Sequence, residues 1–301
     1  MSSSNDLRIG WIGLGTMGSA MAQNLQKHRT KANLSPIAVY NRTQSKCDAL
    51  VALGAHKATS ISGLKGLDII FLSLFNGDAV KSTIEEILLS AHTPDKRLII
   101  CDTTTVHPTV TKWALDRMPD SVEFVQTPVW GAPPAAKAAA LVLVTSAHHE
   151  LIRDIGVPAF ARTTIKVSNP VRAAEFKILG NFMVAAVIES LGEAFAVAHE
   201  VGISRETFFE FVKEMFPVAP FIGYGTKLVA DDGNAAKHQV GFTVVGGMKD
   251  VGYAIDVAKG AGMRLPIAEL AYEHLEWVKE NGSPDWDWSS LAYALRKESQ
   301  K

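Results

Sequence analysis

Apolar runs alternate with amphipathic stretches through the first half of the chain, and the character changes after Asn169-Pro170. Short runs rich in Ile, Val, Leu and Phe predict strands over 8–12, 37–40, 68–74, 97–102, 123–127, 141–145 and 164–167. Apolar positions at helical spacing predict helices between them, for example over 19–27, 45–53, 79–89 and 108–118. Strands alternating with helices of this length imply βαβ units and a parallel sheet covered on both faces. Right-handed crossovers then give a doubly wound α/β fold that binds its ligand outside the carboxyl ends of the strands. From 172 to about 201 runs a long helical pattern without proline, followed by helical stretches over 205–215, 247–261 and 266–281. The expected architecture is a sheet domain over 1–168 and an all-helical second domain over 169–301, with the long helix lining the cleft between them.

The first apolar run ends in Gly13-Leu14-Gly15-Thr16-Met17-Gly18, and the residues after it read as a helix. Strand, glycine turn and helix in that order form a dinucleotide-binding fingerprint, which makes the sheet domain Rossmann-type. Gly13 allows the sharp turn, Gly15 lets a pyrophosphate approach the backbone, and Gly18 lets the helix pack close to the strand. The helix start offers N–H groups and a positive dipole end to the phosphates. About twenty residues past such a loop, a residue at the end of the second strand meets the adenosine ribose. Here that strand ends in Asn41-Arg42-Thr43. Asn41 carries no charge to repel a 2′-phosphate, Arg42 supplies a permanently charged donor fork, and Thr43 adds a hydroxyl. The reading is NADP rather than NAD, against the plainer one that Arg42 is a solvated loop residue.

At 301 residues, 47% hydrophobic and 20% charged, the composition is that of a well-packed soluble protein. A net charge of −1 without like-charge blocks gives no basis for nucleic-acid or anionic-membrane binding. No apolar run approaches the length of a membrane span, and the first residues lack the apolar core of a signal peptide. Cys47 and Cys101 lie far apart without metal-ligand spacing and read as buried thiols, which fits a cytoplasmic protein without a bound metal. His148-His149 reads as a solvated turn, because adjacent side chains diverge and no third ligand is in view. Trp286 and Trp288 read as aromatic packing at the start of a terminal helix.

The long helix carries Lys177 and Asn181, four apart and therefore on one face. Such a pair is commonly an exposed lysine beside a surface amide. Its apolar neighbours Phe176, Ile178 and Leu179, and its position just after the nucleotide domain, favour a cleft instead.

Together these segments resemble the β-hydroxyacid dehydrogenase family, which includes 3-hydroxyisobutyrate dehydrogenase and the glyoxylate or succinic semialdehyde reductases and is itself similar to 6-phosphogluconate dehydrogenase. The resemblance rests on Ile12-Gly13-Leu14-Gly15-Thr16-Met17-Gly18-Ser19-Ala20-Met21-Ala22-Gln23-Asn24-Leu25 and on Asp102-Thr103-Thr104-Thr105-Val106-His107-Pro108. It continues in Lys177 with Asn181, in Phe242 followed by Lys249-Asp250, and in Asp287-Trp288-Ser289-Ser290-Leu291. It implies an NADPH-dependent oxidoreductase in which Lys177 is the general acid/base and Asn181 binds substrate or orients Lys177. It also implies that Lys249 lies near the nicotinamide ribose or substrate, that Thr105, Leu74 and Phe75 lie along the cofactor, and that Thr104 contacts substrate. The small-molecule enzyme it implies is a homodimer. Two alternatives on the same fold are an imine reductase, where the lysine is usually replaced, and a non-catalytic NADPH-binding interaction protein, where it tends to be lost.

The chain departs from the family at its substrate loop, D-A-P-V-S-G-G, which here reads Gln126-Thr127-Pro128-Val129-Trp130-Gly131-Ala132. Glycines expected before the lysine are replaced by Ser168, Val171 and Ala173. Either Trp130 walls a pocket for a more apolar carbonyl, or it points into the core and the backbone at Gly131 and Ala132 still grips an acid.

Overall fold

Strand β1, Ile9–Ile12, is buried along its whole length and carries large apolar side chains on both faces, as a central parallel strand requires. The structure is a computed structural model that describes residues 7–230 and 235–298. Around β1 lie β2 (Ala38–Tyr40), β3 (His56–Lys57), β4 (Ile69–Leu72), β5 (Leu98–Asp102) and β6 (Val122–Gln126). They form a 6-stranded parallel sheet in the order β3-β2-β1-β4-β5-β6. Side-chain alternation sends Ile69 and Phe71 into one core and Ile70 and Leu72 into the other. In the first core Trp11 stacks on Phe71 at 5.1 Å, and Phe160 meets Trp11 edge-on at 5.8 Å. The doubly wound expectation holds.

The chain divides into two compact units, Met1–Lys177 and Ile178–Lys301, and the division falls inside the helix Pro170–Glu200. The second unit is helical: Arg205–Met215, Ala219–Val229, Val244–Gly260 and Pro266–Asn281 follow the long helix. Its main core gathers Ala185, Ile188, Val251, Leu275 and Trp288.

Several local expectations are corrected. The runs at 141–145 and near 164 do not extend the main sheet. They are β8 (Leu141–Thr145) and β9 (Ala161–Lys166), which with β7 (Val129–Trp130) make a separate 3-stranded sheet. β7 pairs antiparallel to β8, a relation that an alternating pattern cannot disclose. His148-His149 is not a solvated turn: His148, at φ 50°, bonds Glu123 at 2.6 Å, and His149 starts the helix His149–Gly156. The helix Pro108–Leu115 stops short of 118. Among the described residues one helix, Pro170–Glu200, is long and apolar enough to cross a membrane by length and composition, although no unbroken apolar run showed it. Alanine and valine raise the mean hydropathy of an 18-residue stretch in it to 1.4, while Lys177 and Glu189 lie buried within the helix, and the core helix of a soluble protein has the same character.

The strand starts are clamped by Asp68, which accepts from the Arg8 backbone N–H at 2.7 Å and faces Lys96 Nζ at 2.6 Å. Partial burial pushes its pKa up, but the Lys96 and Arg8 contacts outweigh this and hold it below the ordinary 3.8. A depressed carboxylate contributes stability that is present above its unfolded value and lost as pH falls through its folded one. The urea midpoint of the wild type should therefore exceed that of Asp68→Asn at neutral pH, and the gap should close on acidification below 3.8. A gap independent of pH would count against the clamp.

Candidate active site

Sheet order reverses between β1 and β4, whose carboxyl ends lie side by side with Ile12 in register with Leu72. This switch point is where doubly wound sheets bind ligands. Beyond Ile12 the chain turns through Gly13 and enters the helix Thr16–Lys31. Gly13 has φ +95°, and a Cβ there would stand 2.2 Å from the Ser73 carbonyl oxygen. A Cβ on Gly18 would stand 2.2 Å from the Gly13 carbonyl oxygen. Gly15 differs: its backbone is extended, and a Cβ would meet nothing within 4 Å. Nothing in the protein requires glycine at 15, so the open space above it suits a ligand that must touch the backbone. Gly15 also leaves the helix start without a side-chain cap, and no acidic residue stands in the first turn. A pyrophosphate fits such a start, with N–H groups and the dipole to bind it.

The neighbouring loops brace this turn. Asn41 Oδ1 accepts from the Leu14 N–H at 2.8 Å, and its Nδ2 donates to the Thr43 carbonyl at 2.9 Å. The residue expected at the ribose thus holds the glycine turn in place, while Arg42 and Thr43 are exposed beside it. Leu74 N–H donates to Thr104 Oγ1 at 2.9 Å, so Thr104, expected at the substrate, ties the β4 loop down from a buried position. Next to it Phe75 is 70% exposed, and Thr105 is half-buried. Gln126 was not expected to matter. Its buried amide donates to the carbonyls of Asp102 and Thr104 and accepts from Thr111, joining the ends of β5 and β6. A carboxylate at 126, as the family pattern has, could not donate to two carbonyls.

Trp130 and Lys177 come together in the first unit. Lys177 is 7% exposed, with Nζ 5.4 Å from the centre of the Trp130 ring, and Phe176 meets that ring edge-on at 5.1 Å. A cation at this distance from an indole face is stabilised by the ring quadrupole. Gly131, at φ +140°, and Ala132 are exposed and lead into the short helix Pro133–Lys137.

In the second unit Asn181 Nδ2 donates to Asp250 Oδ2 at 2.6 Å, and Lys249 Nζ faces Asp250 Oδ1 at 3.2 Å. Asp250, 1% exposed, thereby links two expected site residues, a role the sequence did not disclose. Asp287 is a second such residue. Fully buried, it accepts from Lys227 Nζ, from the N–H groups of Gly241 and Phe242, and from Ser289. It pins the loop before the helix Val244–Gly260, which carries Lys249 and Asp250. The signal available was Asp287 at the head of the motif shared with the family, to which no role was attached.

Residues 8–167 match the family model described as the NAD binding domain of 6-phosphogluconate dehydrogenase. Residues 172–295 match the one described as NAD-binding of NADP-dependent 3-hydroxyisobutyrate dehydrogenase. The chain belongs to the β-hydroxyacid dehydrogenase family. As a member it is an NAD(P)-dependent oxidoreductase. It is 32% identical to the NADH-dependent oxidoreductase ucdB of Aspergillus ustus, over 94% of this chain and 97% of that one. It is 26% identical to glyoxylate/succinic semialdehyde reductase 2 of Arabidopsis thaliana, over 96% of this chain and 79% of the relative. The fold matches 3-hydroxyisobutyrate dehydrogenase of Mycobacterium tuberculosis with a TM-score of 0.80 at 20% identity, covering 97% and 99% of the two chains.

The glycines separate by experiment. Gly15→Ala should leave the melting temperature of the protein alone nearly unchanged but weaken NAD(P)H binding by about tenfold, or about 1.4 kcal/mol. Gly18→Ala should lower the melting temperature itself, because the added methyl meets backbone. Equal effects of both on folding would remove the distinction.

Proposed function

We propose that this protein is an NADPH-dependent reductase, or the reverse dehydrogenase, acting on a small carbonyl or β-hydroxy acid with Lys177 as general acid and base. The observation that carries the reading is a buried lysine at an aromatic ring, one helical turn before an asparagine whose amide is fixed by a buried carboxylate. When bound, the nicotinamide supplies or accepts the hydride. As an ammonium, Lys177 donates a proton to the carbonyl oxygen. As an amine, it removes the hydroxyl proton in the opposite direction. Asn181, whose nitrogen donates to Asp250, is the residue that orients substrate or Lys177 in this reading. Lys249, in the helical unit, is held by Asp250. Lys177 also favours a carbonyl over an imine acceptor.

On the cofactor side, the backbone from Gly13 to Gly18 takes the pyrophosphate, while Leu74, Phe75 and Thr105 line its path. Arg42 supports NADPH: its side chain is exposed, the strand end beside it carries no acid, and the nearby Asp48 is paired with Lys57. The reading extends to a cytoplasmic homodimer. Buried thiols at Cys47 and Cys101 suit a reducing compartment, and Met183 and Val197, 67% and 62% exposed on the long helix, suit a subunit contact.

Two measurements test this. Lys177→Ala should lower kcat by roughly 10²- to 10⁴-fold in a carbonyl-reduction assay while NADPH still binds; full turnover would remove Lys177 from the mechanism. Arg42→Ala should weaken NADPH by about tenfold and leave NADH unchanged in a fluorescence titration. Wild-type protein that binds NADH as tightly as NADPH would overturn the cofactor choice.

A further inference from the structure

Along the loop from 126 to 132 the polar side chains are already engaged inside the fold. Gln126 Nε2 serves two carbonyls, and Thr127 Oγ1 donates to the Val144 carbonyl at 2.6 Å. Where the family pattern has a serine, Trp130 presents a ring whose face lies toward Lys177 Nζ and whose edge contact is Phe176, itself 38% exposed. Aromatic faces carry negative potential, so they attract a cation or an apolar group and disfavour a carboxylate. The Trp130 Nε1–H is enclosed and has no acceptor among the described residues. A buried donor left without an acceptor is unfavourable.

We propose that Trp130 and Phe176 make the wall beside Lys177 aromatic, so that this enzyme prefers a neutral carbonyl compound bearing a flat apolar group over a small keto or hydroxy acid. The inference rests on the redox reading of Lys177 given above and names the substrate class of that site. Trp130 acts as a specificity residue: it contacts the substrate body and the side chain that moves the proton. The reaction is ordinary carbonyl reduction, in which carbon gains the hydride of NADPH and oxygen the proton of Lys177.

The test compares benzaldehyde with succinic semialdehyde on the wild type, Trp130→Ser and Trp130→Phe, with melting curves to establish that each variant is folded. Wild-type kcat/KM should favour benzaldehyde by about tenfold or more, and Trp130→Ser should reverse the order, chiefly through the KM for benzaldehyde. Trp130→Phe, which keeps a ring, should retain the preference. A ratio unchanged in Trp130→Ser, or a Trp130→Phe variant that behaves like Trp130→Ser, would overturn the proposal. Calorimetric binding of acetophenone to the NADP⁺ complex separates this from the redox reading. If no compound turns over, yet acetophenone binds and Trp130→Ser weakens it about tenfold, the aromatic wall stands and the redox reading fails. Absent binding, or equal binding by both proteins, sinks the wall.

Discussion

The fold of the sheet unit depends on one close approach, where the turn after β1 meets the residue after β4. The backbone at Gly13 and Gly18 comes so near Ser73, and each other, that no side chain fits at either position. This contact sets the end of β1, the end of β4 and the start of a 16-residue helix around one point. Backbone donors then converge where the sheet order reverses, and the side chains of Asn41 and Thr104 hold the adjoining loops by hydrogen bonds. Gly15 stands apart from this packing. Its openness has meaning only for something that binds there.

The chemistry of the second half depends on buried charge. Lys177, Asp250 and Asp287 are all nearly inaccessible, and an isolated charge in such a place is costly. Each is compensated in a different way: Lys177 by an aromatic face, Asp250 by an amide and a lysine, Asp287 by backbone donors, a hydroxyl and a lysine. The last of these acts through the loop it binds. It holds the loop that launches the helix bearing Lys249 and Asp250, so those two residues are positioned from a distance by a buried carboxylate.

Much of this was legible in the order of residues. The parallel strands showed as short apolar runs because strands buried on both faces admit little else. The glycine turn showed because its geometry excludes side chains, and Lys177 with Asn181 showed because helical spacing puts them on one face. The second, smaller sheet was not legible. β7 has only the residues Val129–Trp130, and its antiparallel partner is chosen by packing rather than by pattern. His148 was misread for a similar reason: its partner Glu123 lies on β6, far away in sequence.

The sequence by itself determined the class of fold, the glycine turn and the shared helix face of Lys177 and Asn181, because local geometry and periodicity restrict which residue types those features accept. Tertiary structure alone decided what each polar group is used for. Asn41 and Thr104 became braces, Gln126 became a tie between strands, and Trp130 was placed over Lys177 rather than deep in the core. Those roles depend on contacts between residues distant in the chain, and no periodicity encodes which donor will meet which acceptor.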